Sequence, residues 1–259
     1  MNPYQPPSLA AESTLPAPAV VEPFTSVTGL MGRALSFFFG NITTIASITL
    51  VVFAPVELAK NLFVHATKLD ANAMAASRID MLVESVFGSL VAASLLQALA
   101  HKIRTGRDLG VGAALTLGMK SWSNVFAARF RVGLYMLLGA VLLVVPAIYW
   151  AVKYSLVDEI VVLDGSSSRR ALDASGELTR GHGWKILGVG FLAVLPIVVA
   201  QFAGGVVAGL TESWLLTAVV DCVNDVIYRF FIVVTLLVYL GVGGRMDASE
   251  DDAATPAAA

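Results

Sequence analysis

Between residues 27 and 38 the apolar side chains Val27, Leu30, Met31, Ala34, Leu35 and Phe38 recur at the three-and-four spacing of one helical face. Thr25 or Ser26 stands where an N-cap is needed, and the pattern predicts an amphipathic helix at an interface. After Asn41 the pattern changes to long runs that are apolar on every side. Residues 42–64 make the first, interrupted by Pro55, Glu57 and Lys60, and residues 81–100 make the second, with Glu84 its sole ionisable side chain. Gly88, Ser89, Ala92, Ala93 and Ser94 predict close packing of this second run on a neighbouring helix. Residues 132–163 hold a third apolar stretch, longer than one span needs and divided by Pro146, which predicts two short spans meeting there as a hairpin, with one broken helix and an interfacial extension as the alternative. Residues 186–210, with Pro196 inside, and residues 214–242 complete the series.

Runs of this length and apolarity fit a bilayer, whose hydrocarbon core takes a helix of about 20 residues. Composition agrees: 57% of the 259 residues are apolar and 14% charged, and the mean hydropathy is +0.77. The expected fold class is therefore all-α, an integral membrane helical bundle of about six transmembrane helices with short interfacial amphipathic helices. Its domains would be a disordered lead over residues 1–24, a membrane domain over 25–245 and a disordered acidic tail over 246–259. The N-terminal segment lacks the basic and apolar parts of a signal peptide.

Charge decides orientation. The connector 101–131 carries Lys102, Arg104, Arg107, Lys120, Arg129 and Arg131 against Asp108 alone, and 164–185 is again net basic. By the positive-inside rule both face the cytoplasm, as do both termini, with Arg245 marking the end of the last span. Asp108 is placed to cap a helix beginning near Leu109. A net charge of −2 without a cationic face excludes a nucleic-acid footprint, and a single cysteine, Cys222, excludes an intrachain disulfide.

Charges within the apolar runs are the candidate chemistry. Asp221, Asn224, Asp225 and Arg229 form a polar stripe on the last span, and Arg229 lies about 22 Å along the helix from Trp214. An unpaired charge at that depth costs about 2.5 kcal/mol or more, so a partner is expected. Asp225, one turn away, is one candidate; across the bundle, Lys153, Asp158 and Glu159 are the candidates to meet the set Asp221, Asp225 and Arg229. At the interface, Ser167 or Ser168 would cap a short helix bearing Arg169 and Arg170 and anchored by Leu172 and Leu178. It ends at Gly181–Gly183 before Trp184 at belt depth. Arg169, Arg170, Arg180, Trp184 and Lys185 are candidate lipid contacts, each cation worth about 1 kcal/mol near an anionic leaflet.

Catalytic and metal patterns are absent from the sequence: His65, His101 and His182 stand in connectors without a second ligand at zincin spacing. Gly188, Gly190 and Ala193 match a dinucleotide fingerprint only by letters, since no strand precedes them. Gly205 and Gly209 form a GxxxG pair suited to helix contact. Neither a cofactor nor a metal is implied.

Pro146, Ile148, Tyr149, Ser155, Leu156, Asp164, Gly165, Ala171, Leu172, Ser175, Leu178, Thr179, Gly181 and Trp184 resemble the pattern of the glycerophosphoryl diester phosphodiesterase membrane-domain family and related bacterial multi-pass proteins. The specific part of the likeness covers residues 142–187; the chain departs from it at Ala147, Asp173 and Gly176. The resemblance implies a six-span bundle in a bacterial cytoplasmic membrane. It does not imply hydrolysis here, because the soluble barrel found in some relatives has no counterpart in these short connectors. The expected function is a non-enzymatic structural or accessory module contacting anionic lipid, or a protein partner, on its cytoplasmic face. The alternative is a small-molecule or lipid transporter using the stripe of the last span.

Overall fold

The computed structural model describes Phe24 and residues 26–67, 79–142, 144–210 and 213–244. The expected lead before Phe24, the acidic tail and Arg245 lie outside the described residues. Helices account for the architecture, and no strand occurs among the described residues. In chain order they are α1 (Val27–Gly40), α2 (Ile42–Thr67), α3 (Ile79–Thr105), α4 (Val111–Leu142) and α5 (Val144–Lys153). There follow α6 (Val157–Leu163), α7 (Ser168–Leu178), α8 (Gly183–Gly209), α9 (Trp214–Tyr228) and α10 (Phe230–Gly241). Four stretches are long and apolar enough to cross a membrane: Ile42–Thr67, Ile79–Thr105, Gly183–Val207 and Trp214–Gly241, the last made of α9 and α10. The α4–α5 hairpin is not among those four.

α10 is apolar all round and forms the centre of the bundle: Val233, Val234, Leu236, Leu237 and Tyr239 are all buried. Around it the helices present an inverted pattern. α8 buries Ile186, Val189, Ala193 and Ile197 on one stripe and exposes Phe191, Leu195, Val198, Val199 and Phe202 on the other. A large apolar outer face of this kind suits lipid, not water. α1 begins at Ser26, whose hydroxyl accepts the Gly29 N–H at 3.1 Å. It packs Leu30, Ala34 and Phe38 inward, with the Phe38 ring edge-on to Phe230 at 5.4 Å.

Small residues set the closest approaches. A Cβ on Gly118 would lie 2.8 Å from the Ser94 nitrogen, so α4 and α3 touch backbone to backbone at the predicted small-residue face. Gly139 sits 2.8 Å by the same measure from the Ala147 nitrogen, while the Tyr135 ring meets Trp150 at 5.9 Å. Those pairings make α4 and α5 an antiparallel hairpin. α4 ends at Leu142 and α5 begins at Val144, so the division does not fall at Pro146. The proline stands in the first turn of α5, where its missing N–H costs no helical bond. In α8 the close approach belongs to Gly204, against Val220 and Asn224; Gly205 and Gly209 face open space.

The helix expected near Leu109 forms, and it runs further than expected: residues 111–131 are the first two-thirds of a continuous 32-residue helix, because Ala114, Val125 and Ala128 bury an inner stripe. Asp108 is engaged by the Lys102 ammonium at 2.7 Å and by Thr44, which ties the α3–α4 corner to α2.

Candidate functional site

The buried charges form one network whose members come from four helices. α9 and α10 meet at Arg229, where the helix breaks and the guanidinium turns into the core with no exposed surface. It donates two parallel hydrogen bonds to Glu84 of α3, Nη1 to Oε1 at 2.9 Å and Nη2 to Oε2 at 2.8 Å. Bidentate pairing is the strong form of this contact. Phe53 and Tyr228 cover the guanidinium, their ring centroids 4.8 and 5.2 Å away. Glu84 is aimed there by a π turn, Glu84–Gly88, which also leaves the Val86 carbonyl free to accept the Trp122 indole N–H at 2.9 Å. Gly88 is required beside it, since a Cβ there would collide with the Glu84 carboxylate.

Arg129 of α4 extends the network. Its Nε and Nη2 donate to Asp158 Oδ2 at 2.8 and 2.7 Å, and its Nη1 lies 4.0 Å from Glu84. Two guanidinium groups and two carboxylates thus balance in charge. Glu159 is buried beside Asp158, and its Oε2 has no partner among the described residues.

The sequence expectation for this region is met only in part. Asp158 does join Arg229's neighbourhood, but through Arg129 and Glu84. The expected ion pair between Asp225 and Arg229 is not formed: Asp225 contributes its backbone carbonyl to the Arg229 N–H at 3.3 Å, while the side chain of Arg229 turns to Glu84. Lys153 is not part of the cluster at all. Arg129, read as a cytoplasmic loop cation, is drawn into the bundle by Asp158. Sequence reasoning passed over Glu84 as a partner, although a lone acid in an apolar span is itself a signal for a buried cation.

Asp221, Asn224 and Asp225 line a cavity of about 330 Å³ that also reaches Glu57, Lys60 and Asp80. Lys60 satisfies much of its acidity, contacting Glu57 closely, Asp80 at 2.8 Å and Asp221 at 3.3 Å. Asn61 bridges Asp221 at 3.0 Å and Glu57 at 3.3 Å. Glu84 forms the inner wall, so the ion pair with Arg229 closes this cavity towards α10.

A second cavity, of about 690 Å³, opens where α5, α7 and α8 converge, and Lys153 and Arg180 line it together. Ser175 donates its hydroxyl to the Lys153 carbonyl at 2.8 Å, and Thr179 does so at 3.5 Å, fixing the lysine backbone on α7. The lysine stem crosses Gly176, where a Cβ would stand 2.8 Å from its Cε. Gly181, at φ +83°, makes the turn from α7 into α8 in a conformation glycine adopts freely. Tyr149, 62% exposed, lines the cavity, and Trp184, 86% exposed, follows the lining residue Gly183 in the chain. The remaining interfacial candidates diverge: Arg169 and Arg170 are exposed on α7 away from the cavity, and Lys185 reaches Phe24, its Nζ 3.5 Å from that carbonyl. Ser168 accepts a hydrogen bond from Arg131.

Among the described residues no group of three or more histidine, cysteine or acidic side chains is arranged to hold a metal ion. These features define a helical membrane protein with a paired ionic core and two polar cavities. No protein-family model, curated protein or solved structure matches the chain.

Proposed function

We propose that this chain is a non-enzymatic accessory protein of a membrane, holding phospholipid headgroups at the polar face where α7 meets α8. The observation that carries the reading is the pairing of Lys153 and Arg180 in one cavity at the start of an apolar helix. Among the described residues neither cation forms an ion pair with a carboxylate, in contrast to Arg129, Arg229 and Lys60. Cations left open beside an exposed tryptophan and tyrosine suit the headgroup layer. In this proposal the α4–α5 hairpin supplies the two remaining short passes of a six-pass bundle. Both termini lie in the cytoplasm of a bacterial cell, and the likeness of residues 142–187 to the phosphodiesterase membrane-domain family reflects shared architecture.

The test is retention of lipid. Wild type and the Lys153→Ala, Arg180→Ala double variant are purified in a mild detergent and weighed intact by native mass spectrometry. Loss of bound phospholipid from the variant supports the reading, and equal retention overturns it.

The cavity holding Asp221 and Asp225 favours a second reading, transport along the last span. Its closure by Glu84 and Arg229 weighs against a continuous path. Asp225→Cys, made in a Cys222→Ser background and labelled with an impermeant thiol reagent, decides between them. Labelling from both sides of the membrane favours transport, and labelling from one side the accessory role.

A further inference from the structure

We propose that the α5–α7–α8 cavity is built for the zwitterionic headgroup of an aminophospholipid, with the phosphate at Lys153 and Arg180 and the ammonium at Asp173 and Glu177. The proposal rests on the reading above, that this cavity takes a phospholipid, and goes beyond it by naming which one. Gly176 and Glu177 stand three and four residues after Asp173, so the three share the face of α7 that lines the cavity, and Arg180 joins them from the turn after the helix. Lys153 is laid over Gly176 and lines the same cavity as the two acids and Arg180. The cavity therefore presents two cations and two carboxylates, all reachable from one opening.

Each charge has a use in that headgroup. A phosphodiester needs donors, and besides the two side chains Gly183, the first residue of the 27-residue α8, lines the cavity at the positive end of that helix. Asp173 and Glu177 are exposed and form no ion pair among the described residues, leaving acceptors for a primary ammonium with its three N–H donors. A choline headgroup has no N–H to give them. A headgroup that is purely anionic would meet their repulsion. Below the opening, the exposed apolar face of α8 from Trp184 through Phe191 to Leu195 offers a track for acyl chains, which favours a lipid over free phosphoethanolamine.

The experiment titrates the full chain in a non-ionic detergent with dihexanoyl phosphatidylethanolamine, phosphatidylcholine and phosphatidylglycerol, and with phosphoethanolamine alone, following Trp fluorescence and calorimetry. The expected result is binding of the ethanolamine lipid about tenfold tighter than either other lipid. The Asp173→Asn, Glu177→Gln variant should lose that preference, binding the ethanolamine lipid more weakly and, with the repulsion gone, the glycerol lipid more tightly. Arg180→Ala, an exposed change, should weaken all three, which guards against a folding defect in Lys153→Ala. Preference for the glycerol lipid in wild type, or an ethanolamine preference unchanged by the acidic substitutions, overturns the headgroup assignment and leaves the lipid-holding function standing. Phosphoethanolamine binding as tightly as its lipid overturns the lipid source. Binding of none of the four overturns both readings.

Discussion

Two sets of charges in this protein are treated in opposite ways. Around Arg229 each guanidinium faces a carboxylate, aromatic rings cover the innermost pair, and the Arg229 side chain has no exposed surface. Around Lys153 the cations and acids lie within one opening and form no ion pair among the described residues, the Lys153 ammonium resting 5.2 Å from the Tyr154 ring centroid. Burying a charge costs several kcal/mol unless a partner offsets it, so the first set is a condition of folding. The second set lies where polar groups remain solvated and imposes no such demand. Charges that the fold does not need are the ones available for recognition.

The contrast breaks most sharply at Arg229. Arg229→Leu removes the bidentate partner of Glu84, whose carboxylate stays at the cavity wall 4.0 Å from Arg129, and should cost about 3 kcal/mol, the low end for a broken buried pair, read as a lower denaturant midpoint by circular dichroism in detergent. The double variant Glu84→Leu, Arg229→Leu should recover most of that loss, since a buried pair replaced by apolar side chains is often neutral. A double variant as unstable as the single one would mean that the core charges do more than balance each other. Gly88→Ala pushes the Glu84 carboxylate off its partner, and Gly118→Ala drives α4 from α3; each should cost about 1–3 kcal/mol in the same assay. Lys153→Ala with Arg180→Ala should change stability by only about 0.5 kcal/mol or less, while removing bound lipid.

The smallest effect belongs to Asp108. It is fully exposed, and its hydrogen bond from Lys102 holds its carboxyl below the ordinary value of 3.8. A depressed acid stabilises the fold above its unfolded value and ceases to do so as pH falls through its folded one. The small gap in melting temperature between wild type and Asp108→Asn should therefore be constant at neutral pH and close below about pH 4.

What could be read before folding follows from locality. Hydropathy and capping are properties of neighbouring residues, and the 42–64, 81–100 and 186–210 runs and the Ser26 cap all emerge within a few residues of expectation, whereas the hairpin's first helix starts at Val111, well before Val132. Ion-pair partners are not local: Glu84 and Arg229 stand 145 positions apart. Helical spacing nominated Asp225 instead, because one turn is as far as such an argument sees. The partner of Arg129 is out of reach for a related reason: counting cations addresses the side of the membrane, and carries no information on Asp158, 29 positions away, which takes the guanidinium. Arg180 and Lys153 were both noticed, on separate grounds, and only the docking of α7 onto α5 joins them.

The sharpest single measurement is the native mass spectrum of two double variants purified side by side, Glu84→Leu with Arg229→Leu and Lys153→Ala with Arg180→Ala. If the inner charges serve the fold and the outer ones hold lipid, the first variant keeps its bound phospholipid and the second arrives bare. Lipid lost from the first and retained by the second would contradict that division.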